Sequence, residues 1–349
     1  MGTGRRLDAL GAVERAKVLL QEHLGATKPA RELKPRRTDP EVDAVARIGG
    51  HVFAFEVRSE GTASSVMLAG AHLLPATWSD ASWIPLLVVS TMTPAGRRAC
   101  RHLGLDWIDL AGNAEIAAKG LRISISDRRT TRPRGRPTSI FTARRSRVIR
   151  HLLMFSEVAW KQRELALQTG LSEGDTSRVV RHLEAEQMVV REPSGAVRPA
   201  NPAALLADWY QAYAFNRHSI VRGHVQARSG EQLTRSVSGW LSDHAIPHAA
   251  TGLAGAWLWT HFAAFRVSTF LVDRSLTEVE ERDLGIFRDE AGANLWLVVP
   301  EDRSVFTGAG VQDFLPCAHP LQIYLDLKAH PERAAEAAER LQAAYLKWS

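Results

Sequence analysis

The chain has 349 residues, 45% hydrophobic and 23% charged, which is ordinary for a globular protein with core enough for two or three domains. Its net charge of +6 is uneven: residues 201–349 carry 13 basic and 17 acidic side chains, so residues 1–200 stand at +10. Two cysteines exclude a disulfide framework, and no apolar run approaches the ~20 residues that span a bilayer. The opening stretch, MGTGRRLDALGAVERAK, lacks the apolar core of a signal peptide, so a cytoplasmic protein with no membrane partner is expected. An amphipathic helix is predicted over residues 7–24 and a polar, proline-containing loop over 27–40. Strands over 42–48 and 52–58 flank a Gly49-Gly50 turn. A small-residue helix (63–76), a buried strand (84–90), a helix opening at Thr93-Pro94 and strands over 107–110 and 121–125 complete residues 1–126. Mixed strands with interleaved helices make this an α/β domain.

One constellation in that domain bears on chemistry. Asp43 precedes Glu56-Val57-Arg58 on the next strand, and the hairpin brings the two carboxylates together. The pattern resembles the restriction-endonuclease-like core, an acidic residue followed after a spacer by Glu-x-Lys. The resemblance implies a metal-dependent DNA endonuclease in which Asp43 and Glu56 hold Mg²⁺ and a lysine orients the attacking water. Here the lysine position is Arg58, which stays protonated and cannot accept a proton. The expected state is therefore a degenerate, inactive site, with Glu56 and Arg58 as an ion pair. Asp109, before the Gly112-Asn113 turn, is a weaker candidate.

Between Arg128 and Arg150 stand nine arginines and no acidic residue, which points to an anionic polymer as partner. Within residues 127–143, Arg132-Pro133-Arg134-Gly135-Arg136-Pro137 resembles an AT-hook. Prolines keep such a peptide extended, and Arg132, Arg134 and Arg136 favour the negative potential of a narrow A·T minor groove. A solvated basic linker is the alternative reading.

Residues 144–200 follow, opening on Arg144 and Arg145. Val148, Ile149, Leu152, Leu153 and Phe155 recur at helical spacing, residues 162–169 read as a short helix broken at Gly170, and Ser172 caps a third helix with Asp175 three residues on. In that third helix Thr176, Val179, Val180 and Leu183 form an inward stripe, while Ser177, Arg178, Arg181 and His182 point outward. Residues 188–191 and 196–198 read as two strands around Glu192-Pro193-Ser194-Gly195. The run LSEGDTSRVVRHLEAEQMVVRE resembles the winged helix-turn-helix domains of bacterial transcription regulators. That resemblance puts the third helix in the major groove of double-stranded DNA and Arg191 and Arg198 of the wing on backbone or minor groove. A protein-docking module is the alternative.

In residues 201–349 helices are predicted over 202–213, 278–287 and 334–348 and from Pro320, with strands over 265–272 and 293–299. The order TGLAGAW, ANLWLVVPED, VFTG, PLQIYLDL, EAAERL resembles the C-terminal half of AbiEi-type proteins, the antitoxins and regulators of type IV toxin–antitoxin pairs. This implies an α+β, nucleotidyltransferase-like domain, but TGLAGAW lacks the serine of a phosphate-holding turn and Asp273 stands alone, so close helix packing is the simpler reading. His244, His248, His261, Cys317 and His319 lack zinc-site spacing, and no metal or cofactor is expected. The sequence thus predicts an α/β fold plus winged helix. It reads as a homodimeric DNA-binding regulator, a repressor, with no enzyme activity and a cognate toxin as a candidate protein partner. A nuclease using Asp43 and Glu56, or a non-catalytic antitoxin, are the alternatives.

Overall fold

The computed structural model describes residues 3–34, 41–74, 82–118, 120–126, 128, 140–288 and 292–348. The AT-hook-like run, with Arg132, Arg134 and Arg136, lies outside the described residues. The protein is mixed α/β and forms two compact units, one of residues 1–138 with 180–190 and one of residues 139–179 with 191–349. No described helix is long and apolar enough to cross a membrane.

The first unit is built on a sheet whose seven strands lie in chain order: β1 (Arg31–Glu32), β2 (Ala44–Ile48), β3 (His51–Arg58), β4 (Trp83–Val89), β5 (Asp106–Asp109), β6 (Ala114–Ile116) and β7 (Ile123–Ile125). Strands β3, β4 and β5 run parallel, and the outer strands pair antiparallel. The sequence WIPLLVV forms β4 because it is buried on both faces. Leu86 and Val88 join the cluster of α1 (Thr3–Leu24), with Val13, Leu19, Leu20, Phe53 and Phe55. Leu87 and Val89 turn to the opposite face, where α2 (Ala63–Leu73) and α3 (Pro94–Leu103) contribute Val66, Leu73 and Cys100. Thr93 caps α3 through Gly96 N–H, with Pro94 in the first turn. A β-carbon at Gly96 would strike the Gly61 carbonyl, so only glycine fits there.

Helices α4 (Ser146–Met154), α5 (Gln162–Thr169) and α6 (Glu173–Ala185) follow, then a two-stranded sheet of β8 (Val189–Arg191) and β9 (Val197–Pro199), then α7 (Pro202–Ala212). The second unit holds a six-stranded sheet. Its strands are β10 (Ser219–Gly223), β11 (His248–Thr251), β12 (Ser268–Val272), β13 (Leu295–Val299), β14 (Gly310–Gln312) and β15 (Leu315–Cys317), in the order β10-β13-β12-β11-β15-β14. Around them are α8 (Gly230–Asp243), α9 (Gly252–Thr260), α10 (Glu278–Asp283), α11 (Pro320–Leu327) and α12 (Ala334–Tyr345).

TGLAGAW opens α9 and serves close packing as expected. A β-carbon at Gly252 would collide with the His330 ring, and one at Gly255 would press on the Ala250 carbonyl and Ile323. Several expected elements are shorter than read, among them the strands expected over 42–48, 121–125 and 293–299 and the helix over 63–76. The acidic helix stops at Asp283 because Gly285 takes φ +73, after which Phe287 bridges His224. Strand β12 starts at Ser268 rather than residue 265, and α12 ends at Tyr345.

Candidate nucleic-acid face and carboxylate pair

Segment 144–200 folds where its local chemistry directs. Val148, Ile149, Leu152 and Leu153 bury one face of α4, and Gly170, at φ +65, ends α5 by donating its N–H to Ala166 O. The Ser172 hydroxyl accepts from Asp175 N–H at 3.1 Å and donates to the Asp175 carboxylate at 2.9 Å. Between α4 and α5, Trp160 exchanges backbone hydrogen bonds with Val197 at 2.8 and 2.9 Å, an extra antiparallel bridge beside β9. The chain reverses between β8 and β9 as Glu192 N–H donates to Ala196 O and Gly195 takes φ +83.

Helix α6 is sharply two-faced. Thr176, Val179, Val180 and Leu183 are buried, Arg178, Arg181 and His182 are exposed, and Ser177 is half-buried. Arg178 meets Asp175 at 3.1 Å in water, a pairing easily exchanged for another anion. On the hairpin Arg191 and Arg198 are exposed. Arg191 Nη1 donates to Gly195 O at 2.7 Å and Arg198 lies 3.4 Å from Glu192. Arg144 is exposed and Arg145 half-buried. The basic run is not uniform, however. Arg150 is buried and Arg147 is spent on Asp302 at 2.7 Å, so these two do not serve a polymer as the sequence suggested.

The carboxylates of the first unit do converge. Asp43 stands one residue before β2 rather than on it, yet keeps register: its N–H donates to Phe55 O at 2.9 Å, and its carboxylate accepts from Val57 N–H at 2.7 Å. Glu56 is 5% exposed. Arg58 reaches its Oε1 at 2.6 Å, and His72 of α2 lies 3.5 Å from its Oε2. Burial lifts the Glu56 carboxyl above its ordinary range, Arg58 and His72 pull it back, and the charge on Asp43 adds to the lift. Glu56 Oε1 thus faces the Arg58 cation and Oε2 the His72 ring, and Arg58 has no acceptor role to play. Among the described residues no group of three or more His, Cys, Asp or Glu is placed to hold a metal. Asp109 is structural: buried, it accepts from Ala111 N–H, Asn113 N–H and Asn113 Nδ2, fixing the turn before β6.

The scattered C-terminal groups do not assemble either. His248 bonds Ser238, His244 faces Asp283, His261 faces Asp313, and burial pushes the Cys317 thiol up to about 12. Asp273 is held by Arg303. Sequence reasoning missed Glu186, which is 3% exposed; its carboxylate accepts from Ala63 N–H at 3.3 Å and Thr93 Oγ1 at 2.9 Å, at the starts of α2 and α3. Buried Met188 and Val189 after it were the available hint that its segment is inside.

The chain matches no protein-family model, no curated protein and no solved structure. The functional reading therefore rests on these side chains alone.

Proposed function

We propose that residues 144–200 form a winged helix and that the protein is a sequence-specific, double-stranded DNA-binding transcriptional regulator, acting as a repressor. The observation that carries this is the two-faced α6. Its apolar stripe is buried, and its outward row of Ser177, Arg178, Arg181 and His182 suits base edges and phosphates. The order helix, bridge at Trp160, helix, helix, strand, strand supports the winged-helix reading, with Arg191 and Arg198 placed to meet DNA backbone. Arg144, Arg145 and the arginines at 132, 134 and 136 add phosphate contacts in this reading.

The first unit reads as a nuclease-like platform without cleavage, because Asp43 and Glu56 still approach while Arg58 occupies Glu56. Homodimer formation, nucleoid association and a toxin partner belong to the same proposal. Immunoprecipitation of the native protein with its chromosomal DNA tests it. A few discrete promoter sites are expected, and uniform recovery of the chromosome would overturn sequence-specific regulation.

A further inference from the structure

A buried polar network in the second unit joins α4 to α7, β11 and α11, and its donors and acceptors can be assigned one by one. Tyr213 Oη donates to Asp326 Oδ1 at 2.6 Å, Gln322 Nε2 donates to the same oxygen at 2.7 Å, and Thr251 Oγ1 donates to Oδ2 at 2.6 Å. With the Tyr213 hydrogen spent, its oxygen accepts from Gln322 Nε2 at 3.0 Å and from His218 Nε2 at 2.9 Å. His218 Nδ1 then accepts from Glu301 N–H at 3.1 Å, which fixes a neutral ring, and burial together with the charge of Arg150 lowers His218 to about 4. Gln322 Oε1 takes the Arg150 Nη2 hydrogen. Each Asp326, Tyr213 and Gln322 oxygen thereby takes at least one hydrogen.

Arg150 is only partly paired. It is 3% exposed, its guanidinium stacks on Trp209 at 5.1 Å, and Nε and Nη1 find no acceptor among the described residues. Burial lowers it only to about 10, so it is charged at neutral pH. It lines a cavity of about 40 Å³ together with Ser146, Tyr213, His218 and Arg217. Two acidic residues also line the space, but neither hydrogen-bonds Arg150, which feels the charges of Asp302 and Asp326 only at a distance. Asp302 is held by Arg147 Nε and Nη2 and by Ser304 N–H, and Glu301 is exposed. The Ser146 hydroxyl is turned to Ala143 O. A buried cation with unmade hydrogen bonds is costly, and an oxygen-bearing anion supplies both acceptor and counter-charge. The volume admits a few waters or one compact anion, far below the ~300 Å³ of a drug-sized pocket.

We propose that this cavity binds a small oxyanion, carboxylate- or phosphate-sized, against the guanidinium of Arg150, with exposed Arg217 adding a second positive charge. Calorimetric titration and thermal shift of the full chain with phosphate, sulfate, formate and acetate, at ionic strength held constant with chloride, test the proposal and separate the two anion classes. Saturable binding and a raised Tm are expected for one of these classes and not for chloride. Arg217→Ala should weaken binding about three- to tenfold, and Ala214→Leu, at a half-buried lining position, should abolish it by narrowing the cavity. Neither substitution removes a network hydrogen bond, so both should fold if Arg150→Gln does not. Equal effects of chloride and oxyanions, or binding that survives Ala214→Leu, would overturn the site. The readout uses no DNA, so its failure leaves the DNA-binding reading standing.

Discussion

Helix α6 and the network around Asp326 both concentrate polar and charged groups, and they hold them in opposite ways. On α6 the cations stand in water, Arg178 against Asp175 at 3.1 Å with its side chain 60% exposed. Around Asp326 each hydrogen is committed and the carboxyl, which burial pushes up to about 6, has no water to fall back on. Charge held in water can be traded for a phosphate at little cost to the fold. Charge held inside cannot be removed without stranding its partners. Under the proposed DNA-binding reading, recognition belongs to the first region and structural rigidity to the second.

Substitution breaks the contrast most sharply. Asp326→Ala leaves the Tyr213 and Thr251 hydroxyls and the Gln322 amide without their acceptor, and urea unfolding should show a loss of about 3–5 kcal/mol. Arg178→Ala should stay within about 0.5 kcal/mol of the parent. Comparable losses at both positions would erase the distinction.

Acid is the second test. Burial lowers His218, His319 and His330 to about 4 in the folded chain, so unfolding lets them take up protons between pH 6.5 and 4. Their stabilisation is complete above pH 6.5 and is lost as pH falls toward 4. Asp326 acts the other way, since its carboxyl is easier to protonate when folded, and acid relieves that cost between pH 6 and 4. These four groups by themselves leave an uptake of roughly two protons on unfolding near pH 5.5; the lowered His23, His151 and His248 add to it, and the raised Glu56 and Asp106 oppose it. Tm should therefore fall as pH is lowered from 7 to 5, and a Tm that rises would reverse the assignment of neutral buried histidines.

Glu186 is an intermediate case, a buried carboxylate at two helix starts. Glu186→Ala should cost about 1–3 kcal/mol by urea unfolding, because Ala63 N–H loses its side-chain acceptor and Thr93 Oγ1 keeps only Gly61 O. The smallest effect is expected at the nuclease-like pair. Supercoiled DNA with Mg²⁺ or Mn²⁺ should remain intact over hours, and cleavage that disappears in Asp43→Ala would show that Arg58 does not silence the site.

Much of the local structure was legible because local rules set it. The Ser172–Asp175 cap, the Gly170 break, the Thr93-Pro94 opening and the doubly buried β4 each sit in a few contiguous residues. Asp43 and Glu56 were legible because a tight hairpin brings them together. Helix α8 carried a readable signal that was overlooked, the Ser229 cap followed by Leu233, Val237 and Leu241 at fourfold spacing. The Arg150 network was not legible. Its members come from α4, α7, β11 and α11, and Arg150 reads in sequence as one more cation of a basic run. Glu186 was hidden likewise, since a glutamate beside Gln187 looks solvated until helices α2 and α3 supply its donors.

The central claim is that the outward face of α6 reads DNA. Equilibrium binding of the Arg178→Ala/Arg181→Ala double variant to a recovered promoter site and to a random duplex, across a salt series, tests it directly. If the two arginines read bases, each should contribute about 1–3 kcal/mol on the promoter site and less on the random duplex. If they touch only phosphates, the loss is equal on both, and the salt slope flattens by about 0.9 per contact. A folded double variant that binds the promoter as tightly as the parent, with an unchanged salt slope, would contradict the account.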